Sequence, residues 1–389
     1  MAGLPGLALR DGTILDFFVM NCRDYSTGRT MRWLLFITLI TFIAWSVTAM
    51  FRNPINDYSA SPQSREGRFH NLRAPGPGDL PESTLRVWWE VFFNKPAGTI
   101  PTSPAPIRHL TRTELDAAPD RSLYRLGHST VLMKLRGQWW LTDSVFSERA
   151  SPMQFFGPKR FHAPPISIDE LPPIRAVILS HDHFDHLDQA TIKALDSKVG
   201  VFLTPLGVGD RLADWGVARS KIQQFDWWQG TEVDGLHLTV TPAQHFSGRS
   251  FTDGNRTLWA SWVIQDKNGD DDFRLFFSGD TGYFDGFAKI GERFGPFDLT
   301  LIETGAYDKQ WPYVHLLPQE TVQAHRDLRG RWLLPIHNGT FDLALHTWDD
   351  PFDQVLRFAT EHGMQVSTPM MGERVDMNMP QEGSRWWRQ

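Results

Sequence analysis

The chain has 389 residues, of which 41% are hydrophobic and 22% charged, an ordinary globular balance with room for one large or two ordinary domains. A formal charge of -6 offers no basic excess for a polyanion, which argues against wholesale nucleic-acid binding and selects no other partner. Cys22 is the only cysteine, so internal disulfides and thiolate-based metal or iron–sulfur sites are excluded, and any metal must use nitrogen and oxygen ligands.

Residues 1–33 form a polar amino-terminal segment. The run "LLFITLITFIAWSVTAMF", residues 34–51, carries no charge and as a helix would span roughly 27 Å, close to a bilayer core. It reads as a transmembrane or signal-anchor helix. Arg23, Arg29 and Arg32 precede it, which by the positive-inside tendency leaves everything after Phe51 on the outer (periplasmic or exoplasmic) face. A cleaved signal peptide starting at Met31 and ending in "VTA" at Ala49, or a buried helix, stays open. Cys22 lies where an acyl chain is sometimes carried. Residues 52–84, rich in Pro, Gly, Ser and Arg, read as a linker or an arm lying on the surface, and the globular domain is expected over residues 85–389.

From Leu123 onward, short apolar runs close on polar turns: "TVLMKLRGQWWLTD", "AVILSHDH", "VFLTP", "LHLTVTPAQH", "WASWVIQ", "LFFSGD", "LTLIETG" and "WLLPIH". Their length and β-branched content predict strands. Helices are predicted over Leu187–Leu195, Pro318–Leu328 and Pro351–His362, which together imply an α/β fold of sheets covered by helices. Most of the 16 tryptophans and 27 phenylalanines are expected in the core, including the doublets at residues 88–89, 139–140, 227–228 and 386–387, with some turned toward lipid or an apolar ligand.

Five of these runs end, within a few residues, in His181, His245, Asp280, Glu303 or His337. Neighbouring strand ends converge at a sheet edge, where a rigid frame holds the loops that bind ligands. Within "HDHFDH", His181 and His183 alternate on an extended segment, point the same way, and suit one ion. Asp185 and His186 emerge where the chain turns into the next helix and suit a second. Two metals ~3.5–4 Å apart form a hydrolytic site that grips both the attacking and the leaving oxygen. The imidazole-rich donor set suits two Zn²⁺, with other divalent metals open.

The stretches "SHDHFDHLD", "AQHFSGR", "FSGDTGY" and "LLPIHNGTF" resemble, in order, the metal motifs of the metallo-β-lactamase superfamily over Leu123–Gly372. "LGHSTVLMKLRGQWWLTDSVFSERASP", "FFGPKRF" and "HLLPQETVQAH" resemble its N-acylphosphatidylethanolamine-hydrolysing phospholipase D branch. The resemblance implies a four-layer αββα sandwich with a dinuclear site along one edge. It further implies His181, His183 and His245 on the first zinc, Asp185, His186 and His337 on the second, and Asp280 bridging.

Asp185 and His315 are the catalytic candidates. The resemblance places His315 near the substrate as a proton donor or phosphate ligand, against an ordinary helix-start histidine. Asp143 reads either as the carboxylate that orients a metal-bound histidine or as a turn residue, and His128 as a structural histidine or one lying beneath the metals. Glu303 is expected in the pocket wall or as a group supporting a site residue from behind, rather than on a metal. His70, His109, His162, His237, His325, His346 and His362 have no spacing partner. "MQFFGPKRF", residues 153–161, suits either a phospholipid surface or packing on the sheet.

The expected activity is phospholipase D-type hydrolysis of N-acylphosphatidylethanolamine or a related phospholipid at a membrane surface, by hydroxide bound between two zincs, with a homodimer left open. The alternative is a dinuclear-metal lactonase acting on a soluble phosphorylated sugar lactone, whose small basic pocket would differ from a wide apolar groove. A non-enzymatic envelope protein is disfavoured because no ligand type is missing.

Overall fold

The computed structural model describes residues 37–38, 55–80, 83–250, 252–268 and 271–388. Contacts divide the chain into the units Met1–Arg52 and Asn53–Gln389. The apolar segment 34–51 lies outside the described residues except for Ile37 and Thr38, which are helical; among the described residues no helix is long and apolar enough to cross a membrane.

The unit Asn53–Gln389 begins with a hairpin, β1 (Ser64–Arg65) and β2 (Arg68–Phe69), followed by helices α1 (Thr84–Phe93) and α2 (Arg112–Ala117). Strands β3 (Ser122–Gly127), β4 (Thr130–Leu135), β5 (Gln138–Thr142), β6 (Ile174–Ile178), β7 (Val199–Pro205) and β8 (Ile222–Phe225) make one sheet with β16 (Arg374–Asp376) beside β3. Strands β9 (Gly230–Val233), β10 (Leu236–Thr241), β11 (Ser261–Asn268), β12 (Asp271–Phe277), β13 (Phe297–Glu303), β14 (Gly330–Ile336) and β15 (Gln365–Val366) make the second, in sequential order. In each sheet an antiparallel meander passes into a parallel half, β5 to β8 and β12 to β15.

The central parallel strands read as mostly apolar runs because both of their faces are largely buried. In β6 and its extension, Ala176 and Ile178 enter the core between the sheets, while Val177 and Leu179 face outward under α3 (Gln189–Leu195) and α4 (Val208–Asp214). On the second sheet, Leu299 and Leu301 point inward. Ile302 and Leu333 meet α5 (Gly286–Phe294), α6 (Pro318–Asp327) and α7 (Asp350–Glu361). The result is the expected four-layer αββα sandwich. The same alternation resolves one tryptophan doublet: Trp139 packs under the helices and Trp140 between the sheets.

The arm is fastened into this unit. Asn56 and Tyr58 hydrogen-bond Asp210 at the start of α4, and Phe69 is buried in the inter-sheet core. Few apolar residues suffice here, because the polar groups of the arm find fixed partners.

Two hydrogen bonds stitch the second sheet to the loop after β6: Trp262 Nε1 donates to Leu179 O at 2.9 Å, and Ala260 N to Ser180 O at 2.9 Å. Trp262→Phe keeps an aromatic ring in the core but orphans the Leu179 carbonyl. Urea unfolding of residues 53–389 is expected to show a loss of about 1–3 kcal/mol.

Candidate metal centre

Strands β5, β6, β10, β12, β13 and β14 run in directions that bring their carboxyl ends to one edge of the sandwich, and each ends in a functional side chain or is followed by one within four residues. Asp143 follows β5 with φ +28°, and His337 follows β14 with φ +62°. Backbone in this region costs about 1–3 kcal/mol per residue and persists where surrounding structure over-determines it. For Asp143 the fixing bonds are clear. Its buried carboxylate accepts from Ser180 N at 2.7 Å, Ser180 Oγ at 2.6 Å and His186 Nδ1 at 2.6 Å. Gly279, φ +55°, lets the Asp280 loop approach Ser180, since a Cβ there would lie 2.4 Å from the Ser180 Cβ.

Two groups of donor atoms result. In the first, His181, His183, His245 and Asp280 bring ligand atoms within 4.8 Å of one another. His183 Nδ1 lies 2.9 Å from His181 Nε2 and 3.2 Å from His245 Nε2. The other nitrogens of these two partners are taken: His245 Nδ1 donates to Val314 O, and His181 Nδ1 meets Ser180 Oγ. Three ring nitrogens therefore face one another, and a cation between them satisfies all three lone pairs. In the second group, Asp185, His186 and His337 gather with His128. His337 Nε2 lies 3.2 Å from Asp185 Oδ2 and 3.1 Å from Asp280 Oδ2; His186 Nε2 lies 3.1 Å from Asp280 Oδ1. The last two atoms are buried without a hydrogen-bond partner, so the donor set fits a metal better than it fits itself. Asp280 faces both groups. These are the seven residues that the motifs single out, brought together as a candidate dinuclear site.

The electrostatics agree. Burial and the neighbouring imidazoles hold His181 and His245 well below the ordinary histidine range. Burial also opposes charge on His337, but Asp280 and Asp185 overcome it and lift His337 to about 10. His186 is likewise raised, against its burial, by Asp280, Asp185 and Asp143. The buried Asp280 and the half-buried Asp185 are held well below the carboxylate range by the histidines. Without a metal, protons on His186 and His337 neutralise the carboxylates.

Further residues take definite places. His128, φ +53°, sets Nε2 2.9 Å from Asp185 Oδ2 with its ring 3.8 Å from that of His337. Glu303 is fully buried; its Oε1 accepts from Leu316 N at 3.0 Å and lies 3.1 Å from His315 Nδ1. It therefore aims His315 at the site, the supporting place that is one of the two expected for it. Sequence reasoning missed two supports. Asn71, in the arm, brackets the His245 backbone, with Nδ2 to His245 O at 2.8 Å and His245 N to Oδ1 at 3.1 Å. Asp182, between the first two histidines, is locked by Arg211 at 2.6 Å, Thr257 Oγ1 at 2.8 Å and Gly248 N at 2.9 Å. The histidines without spacing partners are scattered: His162 and His325 are buried on Thr340 and Thr300, whereas His70 lines the cavity.

The two groups open into a cavity of about 750 Å³. His183, Asp185, His245, Asp280, His315 and His337 form its floor, under walls that include Leu80, Val87, Val91, Phe246, Trp311 and Leu343.

A beta-lactamase superfamily domain model matches residues 138–338. An uncharacterized protein of Mycobacterium tuberculosis is 42% identical over 336 residues, 84% of this chain and 88% of that one. An N-acyl-phosphatidylethanolamine-hydrolyzing phospholipase D of Caenorhabditis elegans is 35% identical over 254 residues, 62% of this chain and 70% of that one. The crystal structure of isothiocyanate hydrolase from Delia radicum gut bacteria superposes with a TM-score of 0.52 at 20% identity, covering 65% of this chain and 98% of that one, a likeness of fold.

Metal binding near pH 7 is expected to release protons from His186 and His337, because both are held protonated in the metal-free protein. Calorimetry in buffers of different ionisation enthalpy reads the number directly, and none released would refute the protonation pattern. Asp143→Asn, which weakens the hold on His186, should lower metal affinity about 10–100-fold by competition with a chelator.

Proposed function

From the chain's membership of the metallo-β-lactamase superfamily, whose metal-dependent hydrolase fold it carries, we propose a phospholipase D-type phosphodiesterase that hydrolyses N-acylphosphatidylethanolamine or a related phospholipid to phosphatidic acid and an N-acylethanolamine. The observation that carries this reading is the cavity: about 750 Å³, with Leu80, Val87, Val91, Phe246, Trp311 and Leu343 along it and Arg65, His70 and Arg73 also in its lining, above a floor of histidines and carboxylates. Such a shape takes acyl chains along its apolar side and a phosphodiester at the floor. A soluble phosphorylated lactone would call for a smaller pocket instead. The identity to the worm enzyme supports the same choice.

His181, His183 and His245 would hold one ion and Asp185, His186 and His337 the other, with Asp280 between them. Divalent ions there, zinc suiting so imidazole-rich a set, supply Lewis acidity toward a phosphoryl oxygen and acidify a water. The chain's own residues do the rest. His128 and His337 fix the orientation of Asp185 at the cavity floor. His315, partly exposed and aimed by Glu303, lies against the floor with Asp280 and His337. It gives its proton to the ethanolamine oxygen as the bond from phosphorus breaks. The apolar walls exclude bulk water, which strengthens each polar interaction at the floor.

Mass spectrometry of mixed phospholipid vesicles incubated with the metal-loaded protein tests the reading. Release of N-acylethanolamine with phosphatidic acid is expected; no change in any lipid with metals bound refutes it. His181→Ala combined with Asp280→Asn should abolish both metal binding and turnover. His315→Ala should retain metal while kcat falls about 10²–10⁴-fold, and Glu303→Gln should reproduce part of that loss.

A further inference from the structure

The second cavity of the unit, about 930 Å³, shares Val91 and Leu343 with the metal cavity, so the two lie side by side. Helix α1, "TLRVWWEVFF", stands at their junction. Its inner face lends Val87 and Val91, one turn apart, to the metal cavity. An ordinary amphipathic helix would be polar on the other side. Instead Leu85, Trp89 and Phe93, spaced i, i+4 and i+8, are 84%, 62% and 74% exposed. The orientation is held by Gln310, whose Nε2 donates to Glu90 at 2.8 Å. Leu85, Trp89 and Phe93 thus make the outer face apolar as well, and among the described residues they stand largely uncovered.

The patch extends beyond the helix. Phe93, Ile100, Phe155 and Phe156 all border the second cavity, and Phe155 and Phe156 are 82% and 56% exposed. Soluble surfaces rarely leave so many large apolar groups together without a function for them. Lys95, Arg149 and Lys159 stand in the same cavity wall, Lys95 and Lys159 in ion pairs with Asp342 and Glu148. Rings that enter an acyl layer beside cations at phosphate level form the chemistry of an interfacial binding surface.

We infer that the outer face of α1, together with the Phe155 and Phe156 loop, docks on an anionic phospholipid surface, so that both cavities open toward the lipid. This rests on the phospholipid reading of the site and adds the face through which the substrate arrives. A protein partner or a second copy on this face would cap the metal cavity at Val91 and Leu343. A bilayer shuts out water there while remaining the phase in which the substrate is dissolved.

Residues 53–389 contain both sheets and every described core cluster, and they lack Cys22, so a single cysteine can carry an environment-sensitive fluorophore. Labels at Phe156→Cys and at Met379→Cys, which is exposed but lines neither cavity, are compared on vesicles of phosphatidylcholine with phosphatidylglycerol. A blue shift at 156 and none at 379 is expected. Leu85→Ser with Trp89→Ser and Phe93→Ser, in the 156-labelled protein, should weaken vesicle binding at least about tenfold. No shift at 156 while vesicle phospholipid is still hydrolysed overturns the docking face and leaves the phosphodiesterase standing. A shift without hydrolysis sinks the phosphodiesterase and not the docking. Equal shifts at both positions, or a label at 156 already shifted in the vesicle-free full chain because residues 34–51 or a second copy cover it, also overturn the proposal.

Discussion

Asp143 is a carboxylate with no exposed surface, and the edge of the sandwich is organised around keeping it satisfied. Withdrawing such a group from water costs several kcal/mol unless hydrogen bonds replace its hydration. Burial pushes its carboxyl above the ordinary range, and His186 and Ser180 offset this. Those bonds tie β5 to the loop after β6, fix which nitrogen of His186 faces the site, and hold Ser180, whose carbonyl receives Ala260 from the other sheet. One buried charge thereby sets the relative position of both halves of the donor cluster.

Much of this was legible because strands buried on both faces leave short apolar runs, and because "HDHFDH" places alternating donors on an extended segment. The strands β5 to β7 and β12 to β14 follow from those runs, and so do His181, His245, Asp280 and His337 near their ends; the full set of seven donors comes from the resemblance to the superfamily's metal motifs. Asn71 was not legible, since its partner His245 lies 174 residues away and an arm of prolines and glycines shows no periodicity. Asp182 was hidden for the opposite reason: it sits inside the motif, where any polar residue passes for a loop residue, and only the fold reveals Arg211 behind it. Glu303 reads equally as a wall residue or a supporting group, because nothing local connects it to His315. The tryptophan doublets mixed two cases. Residues 139–140 alternate across a strand into two cores, whereas Trp89 faces solvent from a helix.

The division of labour follows the architecture. The sheets, held by their inner cores, hold the donors; the pieces that precede them, arm and α1, shape access. Chemistry and admission therefore reside on different elements. Changes to the aliphatic walls alter which molecule enters without disturbing the floor. That separation suits a superfamily in which one donor set serves many substrates.

The hold of Asn71 on His245 has a consequence for how the protein is made. The donors are spread from His181 to His337, and the arm that braces one of them leaves the ribosome before any of them exists. The metal pair cannot close until β14 has emerged and taken its place beside β13. Asn71 waits only for His245, and until β14 follows, the histidines of the β6 loop stand at an unfinished edge. The brace is thus in the chain before the donor it supports, and that donor before the last one.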